Sequence, residues 1–135
     1  MFLLLTASSL IFAICFGERD ARWAAAWVLA AVIATAVAEA LNRNWGSVHL
    51  TVAAIDLCLL AGLGHLMLTS RSYWPIWMVA AQLLTVLCHV AAALAGPYNQ
   101  RVYTALATLW SIPCLLSLVV GVVLDRRATA RLRAG

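Results

Sequence analysis

The chain has 135 residues and a formal net charge of +4; 65% of the residues are hydrophobic and only 10% are charged. Soluble domains carry about a quarter charged residues, so this sequence has too little polar surface to cover a water-soluble globule. Intrinsic disorder, a free soluble enzyme and a nucleic-acid-binding domain are therefore excluded. The composition predicts an all-α, polytopic membrane helical bundle. Its predicted surroundings are the lipid bilayer, and no nucleic-acid partner is predicted.

Five apolar runs in chain order predict five transmembrane helices. The first, Phe2–Phe16, is short, at about 22 Å of helix. It lacks the basic start and the small-residue cleavage site of a signal peptide, so we interpret it as a retained helix. If it does not span, four transmembrane helices remain. The other runs reach the ~20 residues that a span requires; they are Arg22–Leu41, Val48–Thr69, Trp74–Ala95 and Arg101–Leu124.

Short links separate these runs, which predicts that consecutive helices are antiparallel neighbours. The longest link is too short to hold an extramembrane domain, so the sequence predicts a single transmembrane domain over 1–135. An Arg-rich tail, 125–135, follows the fifth run. The links are 17–21, 42–47, 70–73 and 96–100.

Arginine is distributed unequally between the two predicted sides of the membrane. One side carries only Arg43 and Arg101. The other carries Arg19, Arg22, Arg71, Arg126, Arg127, Arg131 and Arg133. Because cytoplasmic loops are enriched in basic residues, this bias predicts a cytoplasmic C-terminus and a periplasmic N-terminus.

Aromatic residues lie near the ends of the runs, as in the aromatic belts of bilayer proteins. Those at the predicted inner interface are Trp23, Trp27, Trp74 and Trp77; Trp45 lies near the outer one, and Tyr73, Tyr98 and Tyr103 also lie near span ends. This distribution predicts lipid-facing rings and indicates no binding site.

Ionisable residues inside a span are costly, so each is a candidate functional residue. Asp56 lies six residues inside Leu50 and His89 lies six residues before Ala95, which places both about 9 Å below the outer surface. Ser111 falls slightly deeper, and Glu39 lies nearer the outer mouth. These side chains are predicted to converge on one pocket toward the outer leaflet.

Helical rotation selects the pairs within this group. Gln82 and His89 are seven residues apart and share one face of the fourth helix, with Thr85 close to it. Asp56 and His65 are nine residues apart and point in roughly opposite directions. We therefore predict that Asp56 pairs with His89. His65 is predicted to lie at the same depth as Gln82 or to contact another subunit.

An aspartate–histidine pair has two interpretations. It is a natural proton carrier near neutral pH, or it is a structural hydrogen bond that fixes helix register. Because the sequence shows no second acid–base pair to complete a path across the bilayer, the structural interpretation is favoured here.

No cofactor is predicted. A bis-histidine haem site requires two imidazoles at one depth, whereas His65 and His89 lie near opposite leaflets. Haem therefore fits only if His89 pairs with its copy across subunits. The cysteines show no paired or zinc-type spacing and are interpreted as small buried apolar residues; they are Cys15, Cys58, Cys88 and Cys114. Without a nucleophile–base or metal constellation, no metal site, catalytic residue or enzyme activity is predicted.

Small residues supply a packing signal. Ala30 and Ala34 on the second helix and Gly62 on the third allow backbones to approach closely, and the second helix has more than one such face. The leading hypothesis is therefore a non-catalytic scaffold or accessory subunit of a homo-oligomeric or larger membrane assembly. The alternative is a small transporter or proton-linked channel that uses Asp56 and His89. A lipid-, pigment- or haem-binding protein ranks lower.

The second half of the chain carries a loose motif. It consists of Asp56, the segment 71–77 (RSYWPIW), Gln82, His89 and the segment 110–113 (WSIP). Over about Asp56–Arg127 the chain resembles small multi-pass inner-membrane proteins of bacteria. This resemblance implies a location in the inner membrane and no particular activity.

Overall fold

The computed structural model describes residues 2–41, 45–95 and 100–134, with side chains at 4–41, 50–94, 102, 105–106 and 109–133. The described chain forms five α-helices and no strand. In chain order they are α1 (Phe2–Phe16), α2 (Arg19–Leu41), α3 (Trp45–Thr69), α4 (Trp74–Ala95) and α5 (Gln100–Ala134). The predicted all-α helical bundle is confirmed.

Four of these helices are long and apolar enough to cross a membrane, which makes the chain a membrane protein. Among the described residues, α1 has only a shorter apolar segment, Leu4–Phe16, below the length of the other spans. The candidate spans are Arg19–Leu41, Leu50–Thr69, Trp74–Leu94 and Leu109–Arg133.

Three helices extend beyond the apolar runs of the sequence. α2 begins at Arg19 rather than Arg22, with Asp20 in its first turn, where a negative charge favours the helix dipole. α3 begins at Trp45 rather than Val48. α5 continues past Leu124 through the Arg-rich tail, because that segment contains good helix formers and neither Gly nor Pro before its end. In α5 the helix therefore continues beyond the residue at which the apolar run ends.

α5 carries a proline within its length. Pro113 has no backbone N–H, so the carbonyl of Leu109 loses its usual helical donor at this point. One turn later the Ser117 hydroxyl donates a hydrogen bond of 2.7 Å to the Pro113 carbonyl.

The helices close into a ring. Each packs against its neighbours in the chain, and α5 returns to contact α1 and α2. One end of the bundle, which we call the Asp125 end, contains the ends of α1, α3 and α5 and the starts of α2 and α4. The opposite end, near the last turn of α2, is called the Glu39 end.

The half of the bundle nearer the Asp125 end is densely packed. Buried side chains from all five helices meet there in one apolar core. The largest fully buried side chains are Leu63, Pro75, Met78, Leu118 and Val122. Toward the Glu39 end, α2 has one further buried residue, Ala38, which does not belong to this core, and Val32 and Thr35 are half-buried.

Two glycines allow close approach of an aromatic ring in this half. A Cβ built on Gly121 would lie 2.4 Å from Trp74, and one on Gly62 would lie 2.6 Å from Trp27. Of the residues predicted to pack helices, Gly62 therefore does so within one chain. Ala34 is half-buried and Ala30 is exposed on the bundle surface.

Three of the tryptophans assigned to the aromatic belt lie on the surface of the bundle, and a fourth is buried. Trp23, Trp27 and Trp77 are 58%, 41% and 69% exposed, whereas Trp74 is only 4% exposed and belongs to the core. Trp74 turns inward because its indole N–H has an acceptor inside the bundle. The side chains of Trp45, Tyr98 and Tyr103, and those of Arg43 and Arg101 used in the topology prediction, lie outside the described residues.

The cysteines also divide. Cys114 is buried and Cys88 is half-buried, but Cys15 and Cys58 are exposed on the bundle surface. The expectation of four buried cysteines is therefore wrong for two of them. In a bilayer these positions meet lipid, where an apolar thiol side chain is tolerated without burial in protein.

Candidate functional site

A cleft of about 390 Å³ opens where the apolar core ends. All five helices contribute to its lining. Its floor lies near Val28 and Leu59, which are nine and ten residues from the ends of α2 and α3 at the Asp125 end. At 1.5 Å per residue the floor is about 15 Å from that end, near the middle of a bilayer.

Asp56 and His89 meet on the wall of this cleft. Nε2 of His89 lies 2.8 Å from Oδ2 of Asp56, within direct hydrogen-bonding distance. The side chains of His89 and Asp56 are 15% and 19% exposed, so the pair is largely desolvated but reachable from the cleft. The facing arrangement of α3 and α4 that the sequence predicts for this pair is present.

Gln82 holds the carboxylate from its other side. Its Nε2 donates to Oδ1 of Asp56 at 3.0 Å and lies 3.3 Å from the Asp56 backbone carbonyl. Gln82 itself is only 3% exposed. Since both carboxylate oxygens have a partner, the orientation of Asp56 is fixed by two residues seven positions apart on α4. The sequence placed Gln82 on the face of His89 but did not identify it as a partner of Asp56.

The remaining predicted site residues are placed around the same cleft, except one. Glu39 and Ser111 both line it; Glu39 is exposed and Ser111 is half-buried. His65 is exposed and does not line the cleft, as its angle on α3 predicts. Thr6 and Thr35 add polar groups that the sequence analysis did not single out. Threonine is common in apolar helices, so neither carried a signal.

The charge of the lining is negative. Among the described residues that line the cleft, Asp56 and Glu39 are acids, His89 is the one imidazole, and arginine is absent. The described part of the chain contains no group of three His, Cys, Asp or Glu side chains arranged to hold a metal ion. Of the two histidines with described side chains, only His89 faces the cleft.

A second polar cluster lies at the Asp125 end, and we call it the Asp125 network. The Ser72 hydroxyl and the Trp74 indole N–H donate to the two carboxylate oxygens of Asp125, at 3.0 and 2.9 Å. The Ser70 hydroxyl donates to Asp20 at 2.7 Å and accepts from the Ser72 backbone N–H at 3.1 Å. These bonds join the start of α2, the link between α3 and α4, and α5.

The sequence analysis missed the Asp125 network. Its hydrogen-bonded partners are up to 53 positions apart in the chain, and Ser, Asp and Trp near span ends are equally typical of an interface with water. A usable signal was the concentration of Asp20, Ser70, Ser72 and Asp125 on one predicted side of the membrane.

Comparisons with protein-family models, with curated proteins and with solved structures give no match. No relative therefore indicates a ligand or a reaction for this cleft. The resemblance to small bacterial inner-membrane proteins stays a prediction.

Proposed function

We propose that this protein is a small proton-linked transporter that binds its cargo in the cleft. One observation carries the proposal: the Asp56–His89 contact of 2.8 Å lies on the wall of a cleft of about 390 Å³. A hydrogen bond needed only for helix register requires no accessible cavity beside it. Ionisable groups that face a cavity inside a span are typical of proton and substrate pathways.

The pair can change charge without losing its hydrogen bond. With Nε2–H donated to the Asp56 carboxylate, a proton taken up on Nδ1 of His89 converts the pair from a net charge of −1 to zero. Release of that proton restores the negative charge. Gln82 keeps the carboxylate oriented in both states, because its amide donates to Oδ1 in either case.

The packed half of the bundle acts in this proposal as the closed side. Apolar side chains and the Asp125 network fill the bundle below the cleft. The arginine distribution supports a bacterial inner membrane with this end in the cytoplasm. The cleft then opens toward the periplasm, and transport requires the Asp125 end to separate in a second conformation.

Proton movement in proteoliposomes tests the proposal. Purified protein is reconstituted with a pH-sensitive dye inside the vesicles, and the decay of an imposed pH gradient is followed. We expect the wild-type protein to speed the decay, and Asp56→Asn and His89→Gln to abolish the effect. His65→Gln is the matched control, because His65 is exposed and lies outside the cleft.

Two results would contradict the proposal. One is a wild-type protein that leaves the gradient intact under every condition. The other is an Asp56→Asn variant that dissipates the gradient as fast as the wild type, since the proposed cycle needs the negative charge of Asp56 beside the protonated His89.

A non-catalytic scaffold or accessory subunit is the second candidate function. Ala30, Ile33 and Val37 are exposed on α2, which supports packing of this surface against another copy or another membrane subunit. This second candidate is tested by measuring the mass of the purified protein after the contribution of the detergent is subtracted. An absorption spectrum of the same sample tests the lower-ranked possibility of a pigment, or of a haem held by His89 from two subunits.

A further inference from the structure

We infer that the cargo is an amphipathic organic cation, an amine or a quaternary ammonium compound, whose charged group binds between Asp56 and Glu39. This inference rests on the proposed function for its site and adds the chemical class of the cargo. It follows from the charge, the shape and the hydrogen bonding of the cleft.

The charge of the lining favours a cation. With His89 neutral, Asp56 and Glu39 give the described lining a formal charge of −2, and no arginine there opposes it. Inside a bilayer such charge is costly unless it is paired, so a bound cation stabilises the site and an anion is repelled. Asp56 can accept a further bond beside those from Gln82 and His89, because a carboxylate has about four acceptor positions.

The shape of the cleft favours an organic cation over a metal ion. A volume of about 390 Å³ is in the range of small-molecule sites. The lining also contains apolar side chains, among them Val28, Val32 and Leu115. A bare metal ion requires several clustered ligands, and the described residues offer no such group of three.

Cation and proton compete for the same negative charge. The titratable groups that face His89 across the cleft are Asp56 on α3, Glu39 on α2 and Cys114 on α5, while α1 contributes only Thr6, which does not titrate in this range. Protonation of His89 neutralises the pair and weakens its attraction for a cation. Affinity for the cation is therefore expected to be higher at high pH than at low pH.

The test uses two probes of equal size and opposite charge. Binding of tetraphenylphosphonium and of tetraphenylborate to the full chain in mild detergent is measured by equilibrium dialysis at about pH 5.5 and about pH 8, on either side of ordinary imidazole titration. The variants are Asp56→Asn and Glu39→Gln. Glu18→Gln is the matched control, because Glu18 is an exposed acid at the opposite end of the bundle.

We expect the wild type to bind the phosphonium and not the borate, and to bind the phosphonium more tightly at the higher pH. Asp56→Asn should weaken binding at least about tenfold and Glu39→Gln by about three- to tenfold, as for loss of one charge contact. Glu18→Gln should bind as the wild type does. If Asp56→Asn does not elute as a folded species, Glu39→Gln decides, since that exposed side chain supports no core packing.

The inference is overturned if the borate binds as tightly as the phosphonium, or if neither cleft variant changes phosphonium binding. Binding of neither probe, together with proton movement that depends on Asp56, would overturn the cargo class and leave the proposed function standing. Charge-selective binding without any proton movement would support the cargo class and contradict proton-linked transport.

Discussion

The two halves of this bundle use their polar residues in opposite ways. At the Asp125 end, carboxylates accept hydrogen bonds from Ser and Trp donors that keep their protons throughout the physiological pH range. In the half nearer Glu39, a carboxylate meets the imidazole of His89 on the wall of a cleft. We propose that Asp125 is structural because its partners are Ser72 and Trp74, whereas Asp56 carries a change of charge because its partner is His89 and it faces the cleft.

Packing follows the same division. The large buried side chains and the tightest glycine contacts lie in the half nearer Asp125, while the other half contains the cleft. Since a small membrane bundle has few contacts to spare, one firmly packed half allows the other to keep a cavity and costly polar groups. The comparison therefore predicts that substitutions near Asp125 reduce stability and that substitutions in the cleft reduce activity.

The largest loss of stability is expected from Asp125→Ala. The change leaves the Trp74 indole N–H buried without its acceptor and removes the bond from Ser72, at a cost of about 2–4 kcal/mol. Denaturation in mixed micelles measures it. A double-mutant cycle with Trp74→Phe should show strong coupling, because the second change removes the donor that was left unpaired. Additive losses would contradict the bond.

Gly121→Ala should have the next largest effect, about 1–3 kcal/mol, because the added methyl group would overlap the ring of buried Trp74. The matched control is Gly64→Ala, where a Cβ meets nothing within 4 Å. That change should instead stabilise α3 by about 0.5–1 kcal/mol, through the ordinary helix preference for alanine. Equal effects of the two changes in the same denaturation assay would refute the close contact.

In the cleft, Asp56→Leu should cost about 1–2 kcal/mol, because His89 and Gln82 both lose their acceptor in a partly exposed place. Asp56→Asn retains an acceptor oxygen and should change stability by less than about 0.5 kcal/mol, while it abolishes proton movement. An Asn variant as unstable as the Leu variant would indicate that the charge of Asp56 is needed for folding, and would remove the contrast between the two halves.

Ala30→Leu should have the smallest effect on the single chain, within about 0.5 kcal/mol, because the residue is exposed on the bundle surface. If α2 packs against another copy through this face, the added volume should shift the purified species toward the monomer. Detergent-corrected mass by light scattering measures the shift. An unchanged oligomer would show that the interface, where one exists, lies elsewhere.

Much of the fold followed from hydrophobic length alone, since a helix that crosses a bilayer needs a continuous apolar run. The Asp56–His89 contact was also within reach of the sequence. Short links impose antiparallel neighbours, rise per residue gives depth, and the seven-residue spacing of Gln82 and His89 gives a face. Each of these quantities is local to one or two helices.

Features that depend on the whole ring were not predictable in this way. The inward turn of Trp74 requires α5 to present Asp125 at the same level, and no property of α4 contains that information. The cleft itself exists because side chains on α2 near Thr35 and Glu39 do not fill the space opposite α4. A cavity of this kind results from how the helices pack, so no sequence motif marks it.

Because of Pro113, the part of α5 before the proline is expected to unfold locally more easily than the part after it. The Leu109 carbonyl lacks its backbone donor, so the helix before the proline is joined to the helix after it by one fewer amide hydrogen bond. Beyond it, Leu118 and Val122 hold α5 in the core. In hydrogen–deuterium exchange, amides of 114–124 should be protected for longer than those of 102–112, so that the outer segment fluctuates as a separate unit.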